Sequence, residues 1–226
     1  MPLFIVPTPI GNMSDITFRA VETLKNSHFI LAEDTRHSAQ LLKKYDIKAQ
    51  MISYRDQIHE TLIDKVLEKM KMSLNLSLIS DAGTPTLSDP GYKLVRDVIK
   101  AGYKVIPLPG AFAGSTALCA SGLPTDRFVF LGFPPKNEKS REDLLTQYVN
   151  DTGSIIFYES PLRVVSLLKS CQKAYGDRYA SISNDLTKMY EYIKTDRLSK
   201  LIDTLEKESE LRGEFVVIIA KADFSI

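Results

Sequence analysis

The sequence predicts an α/β protein made of two domains. Short apolar runs rich in β-branched residues alternate with amphipathic stretches, which is the pattern of strands packed against helices. Several of those runs are followed at once by segments bearing glycine and proline. At 226 residues, the chain has the length of two domains of about 100 residues each.

In the first half, Leu3 to Val6 reads as a strand, with a helix from about Asp15 to Lys25. Phe29-Ile30-Leu31 and a helix from about His37 to Lys44 repeat the pattern. From about His59 to Lys71, helical spacing puts Leu62, Ile63, Val66, Leu67 and Met70 on one face, which reads as a core stripe. Leu76 to Ile79 forms the next strand, Tyr92 to Lys100 a helix, and Val105 to Leu108 a strand that closes a first domain over residues 1–110.

The second domain, 111–226, opens on small residues up to Ser115 and a helix from Thr116 to Ser121. A strand at Phe128 to Leu131 leads into the polar loop Pro134 to Lys139, a helix to about Tyr148 and an apolar strand, Ser154 to Tyr158. Ser160-Pro161 is expected to cap a helix running to Ala174. Strands near Tyr179 to Ile182 and Met189 to Lys194, a helix from Ser199 to Glu208 and a strand at Glu214 to Ala220 complete the pattern.

Composition narrows the class. Hydrophobic residues make up 44% and charged residues 25%, enough apolar material for a core in each half. Met1 to Val6 lacks a basic region followed by a long apolar stretch, and no run of about 18 apolar residues occurs, so a cytoplasmic protein without a membrane span is expected. Cys119 and Cys171 stand alone, and His28, His37 and His59 lack ligand spacing, so neither a disulfide framework nor a metal is expected. The net charge of +1 argues against a uniformly basic surface and leaves room for a local basic patch.

The run Ser80 to Gly91 follows the Leu76 to Ile79 strand and reads as a ligand loop, since ligands of open α/β sheets gather at the carboxyl ends of strands. Gly83 permits close backbone approach, and Asp89-Pro90 is expected to start the next helix. Pro7 to Asn12 and Pro109 to Ser115 are similar segments after other strands. None matches GxGxxG or GxxxxGK[ST], which argues for a ligand without a pyrophosphate to grip. Ala32-Glu33-Asp34-Thr35-Arg36 reads either as a helix start, with Asp34 or Thr35 as the cap and Glu33 paired with Arg36, or as a polar rim for substrate. Tyr158 to Arg163 carries the same two readings, while Leu186-Thr187-Lys188 and Arg212-Gly213-Glu214 read as surface on spacing alone.

Taken in order, these segments resemble a known family. Pro7 to Asn12, Asp15-Ile16-Thr17, Arg19-Ala20, Ala32 to Arg36, Ser80 to Pro85, Ser88 to Gly91 and Pro109-Gly110 are similar to the ribose-methylating, ribosomal RNA branch of the tetrapyrrole methylases. The likeness continues through Ser121 to Pro124, Gly132-Phe133, Tyr158 to Arg163, Leu186 to Lys188 and Arg212 to Glu214, and so spans nearly the whole chain.

The resemblance implies two α/β domains with an S-adenosylmethionine cleft between them. It further implies a cytoplasmic homodimer and methyl transfer to the 2′-hydroxyl of a cytidine in small-subunit (16S) ribosomal RNA, free or in the 30S particle. By position, Ile10, Asp81, Ala82, Gly83, Thr84, Ser115 and Thr116 are implied cofactor contacts, with further contacts near Phe157, Tyr158 and Leu186. Asp34, Glu159 and Lys188 are the candidates for assisting loss of the hydroxyl proton, and Arg36 for binding phosphate. Lys136, Lys139 and Arg141 join Arg36 as expected RNA contacts.

Three places depart from the branch. Asn184-Asp185 replaces an Arg-Glu pair, Leu131 a frequent Glu, and Tyr54 to Gln57 a histidine-bearing stretch. A helical tail is common in the branch beyond the last strand, where this sequence ends at Ile226. Two other readings are a tetrapyrrole (precorrin-type) methyltransferase, which needs a wide apolar trough, and a non-catalytic RNA- or ribosome-binding module.

Overall fold

A computed structural model describes residues 1–225. The chain packs as two units, Met1–Phe112 and a second beginning at Ala113.

The first unit holds β1 (Leu3–Ile5), β2 (Phe29–Ala32), β3 (Gln50–Ser53), β4 (Leu76–Ile79) and β5 (Val105–Pro107) in the order β3-β2-β4-β1-β5. Every neighbouring pair is parallel. Helices α1 (Phe18–Lys25), α2 (Thr35–Lys44), α3 (His59–Lys71) and α4 (Tyr92–Lys100) cover both faces. Leu3, Ile5, Leu31, Leu76 and Leu78 pack with Val66, Met70, Leu94 and Val98 on one face. Val6, Ile30, Ala32 and Ile79 pack with Ala20, Leu24 and Leu42 on the other. Alternate residues of one strand thus serve opposite layers, so β4 is buried at all four positions.

Three local expectations change. The helix expected from Asp15 begins at Phe18, because Thr17 takes the cap by accepting from the Ala20 amide at 3.0 Å. A 3-10 turn, Met13–Asp15, precedes it under its own cap, Asn12. Strand β3 has no clear sequence signal, since it is a half-exposed edge strand with only Met51 and Ile52 apolar. Finally, Gly91 and not Asp89 caps α4. Gly91 has φ of 126°, and a Cβ there would lie 2.5 Å from Leu78 Cδ2, so this end of the loop requires glycine.

The second unit contains α5 (Ala113–Ala120), β6 (Phe128–Gly132), α6 (Glu138–Thr146), β7 (Ser154–Glu159), α7 (Val164–Tyr175), β8 (Tyr179–Asn184), β9 (Tyr192–Arg197), α8 (Leu198–Glu206) and β10 (Phe215–Ile219). Its sheet order is β6-β7-β10-β8-β9. Only β6 and β7 pair in parallel, and the other three pairs are antiparallel. The apolar β10 takes the centre, buried throughout. Phe157, Val217 and Ile182 from the sheet meet Leu145, Leu167, Leu168, Leu201 and Leu205 from α6, α7 and α8. Ser160-Pro161 does not cap α7. Instead Ser160 O accepts from the amides of Arg163 and Val164, a turn that delays the helix to Val164.

Candidate functional site

All five strands of the first unit are parallel, so the loops that follow them emerge at one edge. Those leaving β1 and β2 lead to α1 and α2 on one face, while the loop leaving β4, between them, leads to α4 on the other. Such a divergence opens a crevice at the carboxyl end of β4, where open α/β sheets bind ligands.

Three loops are pinned there. Thr8 N donates to Gly83 O at 2.8 Å and Gly83 N to Thr8 O at 3.0 Å, a two-bond bridge between the loops after β1 and β4. Thr8 Oγ1 adds a bond to Ser80 O at 3.0 Å. From the loop after β5, Ala111 O accepts from Thr84 Oγ1 at 2.8 Å. Gly110 is packed so closely that a Cβ there would fall 2.3 Å from Pro7 Cβ. A Cβ on Gly83 would sit 3.4 Å from Ile10 Cγ2 and 3.5 Å from Ala111 O. Ile10, Asp81, Ala82, Gly83 and Thr84 are therefore brought to one place.

The same edge is acidic. Asp81 Oδ1 accepts from the Asp34 amide at 3.1 Å, tying the end of β4 to the end of β2. Asp34 caps α2, its Oδ1 accepting from the amides of Arg36 at 2.8 Å and His37 at 3.4 Å. Arg36 also reaches Asp34 with its guanidinium at 3.3 Å, and these bonds hold the Asp34 carboxyl below the usual range. Of the two readings of Ala32 to Arg36, the helix cap is present, but Arg36 pairs with the capping Asp34 and not with Glu33. That is poor equipment for accepting a proton.

Glu33 and Asp89 show the opposite tendency. Burial, reinforced by the charge of Asp81, raises the Glu33 carboxyl against the pull of Arg55. Burial also pushes Asp89 up to about 6, with Glu33 and Asp81 adding to the rise and a hydrogen bond with Ser80 opposing it. On sequence alone, Glu33 stands in an ion pair or a polar rim and Asp89 at a helix start, and neither is put forward for taking up a proton, because nothing in the spacing shows that four acidic side chains from two loops share one edge.

For Asp89 the linkage sign is fixed. Its folded pKa exceeds the ordinary aspartate value of 3.8, so the folded state holds the proton longer than the unfolded state. Stability contributed at this position is present below about pH 4 and lost as pH rises to about 6. Asp89→Asn is expected to raise the melting temperature relative to wild type at neutral pH, with the difference shrinking to nothing near pH 4. A difference independent of pH would refute this.

In the second unit, β6, β7 and β8 run in one direction and β10 against them, so the loops after Gly132, Glu159 and Asn184 leave at one edge, together with the chain entering at Phe215. Glu159 is buried there. Its Oε1 accepts from Ser160 N at 2.7 Å and from Arg163 Nε and Nη2 at 2.8 and 2.6 Å. Lys188 Nζ donates to Asp185 Oδ1 and Glu214 Oε2, each at 2.9 Å. Burial alone would lower Lys188, but the bonds to Glu214 and Asp185 outweigh it and keep the ammonium charged. Glu159 and Lys188 thus act as clamps on the loops around them. Gly213 allows this fold-back, since a Cβ would lie 2.4 Å from the Asp185 carboxylate.

The remaining candidates divide. Ser115 and Thr116 lie in the first turn of α5, and the hydroxyl of Tyr158 accepts from the Gly114 amide in that turn at 3.2 Å. Phe157 is fully buried in the core, so its side chain is taken up by packing, and its main chain is engaged by strands on both sides. Leu186 is buried beside the Lys188 clamp. Arg141, expected on an RNA-binding surface, is buried instead, with Nε 3.0 Å from Ser170 Oγ and Nη2 2.9 Å from Ser166 Oγ. It faces inward because α6 packs on α7 along that side. His59 is a packing histidine, held between Tyr54 Oη at 3.0 Å and Asp97 Oδ2 at 2.9 Å.

Among the described residues, no helix is long and apolar enough to cross a membrane, and no three His, Cys, Asp or Glu side chains are placed to hold a metal.

A parallel sheet whose glycine-bearing loops meet at its carboxyl edge, followed by a second, mixed sheet, is the architecture of the two-domain α/β methylases. Two solved structures share it. The methyltransferase CobJ has a TM-score of 0.73 at 16% identity, covering 100% of this chain and 96% of its own. A cobalt precorrin-4 methyltransferase of cobalamin biosynthesis has 0.69 at 17%, covering 97% and 94%. Residues 2–202 match the Tetrapyrrole (Corrin/Porphyrin) Methylases. The chain is 44% identical to "Ribosomal RNA small subunit methyltransferase I" of Haemophilus influenzae, over 96% of this chain and 77% of that protein. The protein of that name in Bacillus subtilis is 41% identical, over 96% and 74%. The chain belongs to the tetrapyrrole methylase family, in its small-subunit ribosomal RNA methyltransferase branch.

Proposed function

We propose that this protein transfers the methyl group of S-adenosylmethionine to the ribose 2′-hydroxyl of a cytidine in small-subunit ribosomal RNA. The observation that carries the substrate is identity of 40–44% with ribosomal RNA methyltransferases across 96% of this chain. The tetrapyrrole enzymes share the fold at 16–17% identity and say nothing about this chain's substrate. Action in the cytoplasm, as a homodimer, is part of the same proposal.

S-adenosylmethionine supplies a methyl carbon on a sulfonium. Bound beside the ribose, it would supply that methyl to the 2′-hydroxyl oxygen and leave with the C–S electron pair, so the part left to this chain is to hold the donor and to take up the hydroxyl proton on a carboxylate. Ile10, Asp81, Ala82, Gly83 and Thr84 are the proposed hold on the cofactor, because main-chain groups and one carboxylate converge where Gly83 keeps the approach open. The acidic edge suits a cationic ligand. Ser115, Thr116, Tyr158 and Leu186 stay as the second unit's proposed cofactor contacts.

Proton loss is better served by Glu33 and Asp89, whose basicity is raised, than by Asp34, Glu159 or Lys188, which are tied up as a cap and two clamps. A general base works best with its pKa near the operating pH. The ratio kcat/KM, which reports groups of the free enzyme, is expected to rise through about pH 6, the value for Asp89. A flat profile between about pH 5 and 8 would remove both carboxylates from proton transfer. Asp34→Asn, which keeps a good cap, should retain turnover, whereas Asp34→Ala should cost about 1 kcal/mol of stability. Loss of turnover in a stable Asp34→Asn variant would return Asp34 to the chemistry.

The reading is tested by incubating the protein with labelled S-adenosylmethionine and small ribosomal subunits from a strain lacking it, then mapping the label. One ribose-methylated cytidine is expected. Cofactor binding by calorimetry with no label in RNA would point to a small-molecule substrate, and no cofactor binding to a non-catalytic module.

A further inference from the structure

The loop-bearing edge of the second unit presents an aromatic ring that the core does not use. Phe133 directly follows β6, where the pairing with β7 shifts between Phe130 and Gly132 and Gly132 takes φ of 62°. This irregularity turns the chain out of the sheet. Buried Pro134 and then Pro135 restrict the backbone beyond it.

The ring is 58% exposed, yet it is held in place. It stands edge-on to Tyr158, with centroids 5.6 Å apart and planes at 66°. Tyr158 rests in turn against Phe130 at 4.9 Å and is fixed by its bond to the Gly114 amide. The inner side of the ladder is thus anchored and the outer ring is open to solvent. A few residues on, Lys136 and Lys139 are exposed, and neither takes part in an ion pair among the described residues.

We propose that Phe133 is the stacking platform for an unpaired base of the RNA substrate, with Lys136 and Lys139 holding adjoining phosphates. The inference rests on the RNA reading above and adds to it the residue that receives a base. A single-stranded nucleotide offers a flat π face and an anion within one residue's reach, and this loop offers a fixed ring and two unpaired ammonium groups. Leu162, Met189 and Tyr190 are also exposed on loops that leave this edge, so what favours RNA over a protein partner is the two ammonium groups beside the ring, which an apolar contact would not use.

The chain contains no tryptophan, so Phe133→Trp creates a single fluorescent reporter at the proposed platform. Small-subunit ribosomal RNA is expected to quench it saturably, with or without S-adenosylmethionine present. Phe133→Ala and Phe133→Leu are each expected to raise KM for that RNA about 5- to 150-fold, the range for losing one base–aromatic stack. Their cofactor affinity by calorimetry should stay that of wild type. Phe18→Ala removes a ring that is 97% exposed in the first unit and should leave KM unchanged.

Unchanged KM in Phe133→Ala and Phe133→Leu overturns the platform while leaving the RNA methyltransferase reading intact. So does full rescue by Leu, which supplies bulk without a π face, or a fall in sedimenting mass in Phe133→Ala, which would make the ring a subunit contact. Wild-type protein that binds cofactor but moves no label to RNA overturns both readings.

Discussion

Arg163→Met is expected to destabilise the second unit by about 3–5 kcal/mol, the scale for leaving a buried charge without its partner. The Glu159 side chain is 2% exposed and depends on two nitrogens of Arg163 at 2.6 and 2.8 Å. Ser160 contributes an amide and a hydroxyl to the same oxygen, which cannot replace a full positive charge. Removing both charges in Glu159→Gln/Arg163→Met should cost less than Arg163→Met alone, because no buried carboxylate is then left. Denaturant unfolding followed by circular dichroism reads both. A loss under about 1 kcal/mol in the single variant would mean that Ser160 suffices.

The second large effect is on the cofactor. Asp81→Ala should weaken S-adenosylmethionine binding about 10- to 150-fold, the cost of losing a hydrogen-bonding carboxylate from a partly desolvated site. Asp81 also accepts from the Asp34 amide at 3.1 Å, so the alanine variant loses a loop tie as well. Asp81→Asn separates the two roles. Its amide oxygen can keep the tie while the charge is gone, so stability should stay close to wild type and affinity should still fall. Calorimetry that finds wild-type affinity in both variants would take Asp81 out of the cofactor site.

Much of the first unit was legible because its signals are local. The β4 run Leu76 to Ile79 is apolar or small throughout, as a strand covered on both faces must be, and α3 carries a regular stripe. Capping by Asp34 was one of two readings open from Ala32 to Arg36, and the geometry decided it. Asp89-Pro90 misled because its chemistry suits a cap, yet the packing of Leu78 against Gly91 set where α4 begins. Arg141 misled in the same way. Its charge suggests a surface, and only the placement of α6 against α7 shows two serine hydroxyls waiting for it.

The order of motifs along the chain was enough for the family, because the turn and loop residues that close a methylase site are local requirements of the backbone. Gly83, Gly91 and Gly110 each stand where a side chain would not fit or a positive φ is needed, and such needs are written residue by residue. Electrostatics were not legible in that way. Whether a carboxylate is tied as a cap, held as a clamp or left with a raised affinity for its proton depends on which charges and amides surround it: Asp34 and Glu159 find theirs within four residues, whereas Glu33 meets Asp81 from a loop far along the chain. Asp34 beside Arg36, Glu33 beside Asp81 and Glu159 beneath Arg163 carry the same functional group in three different states. Only the sheet order, which brings the ends of β2 and β4 together, set Glu33 beside Asp81, and no local spacing carries that placement.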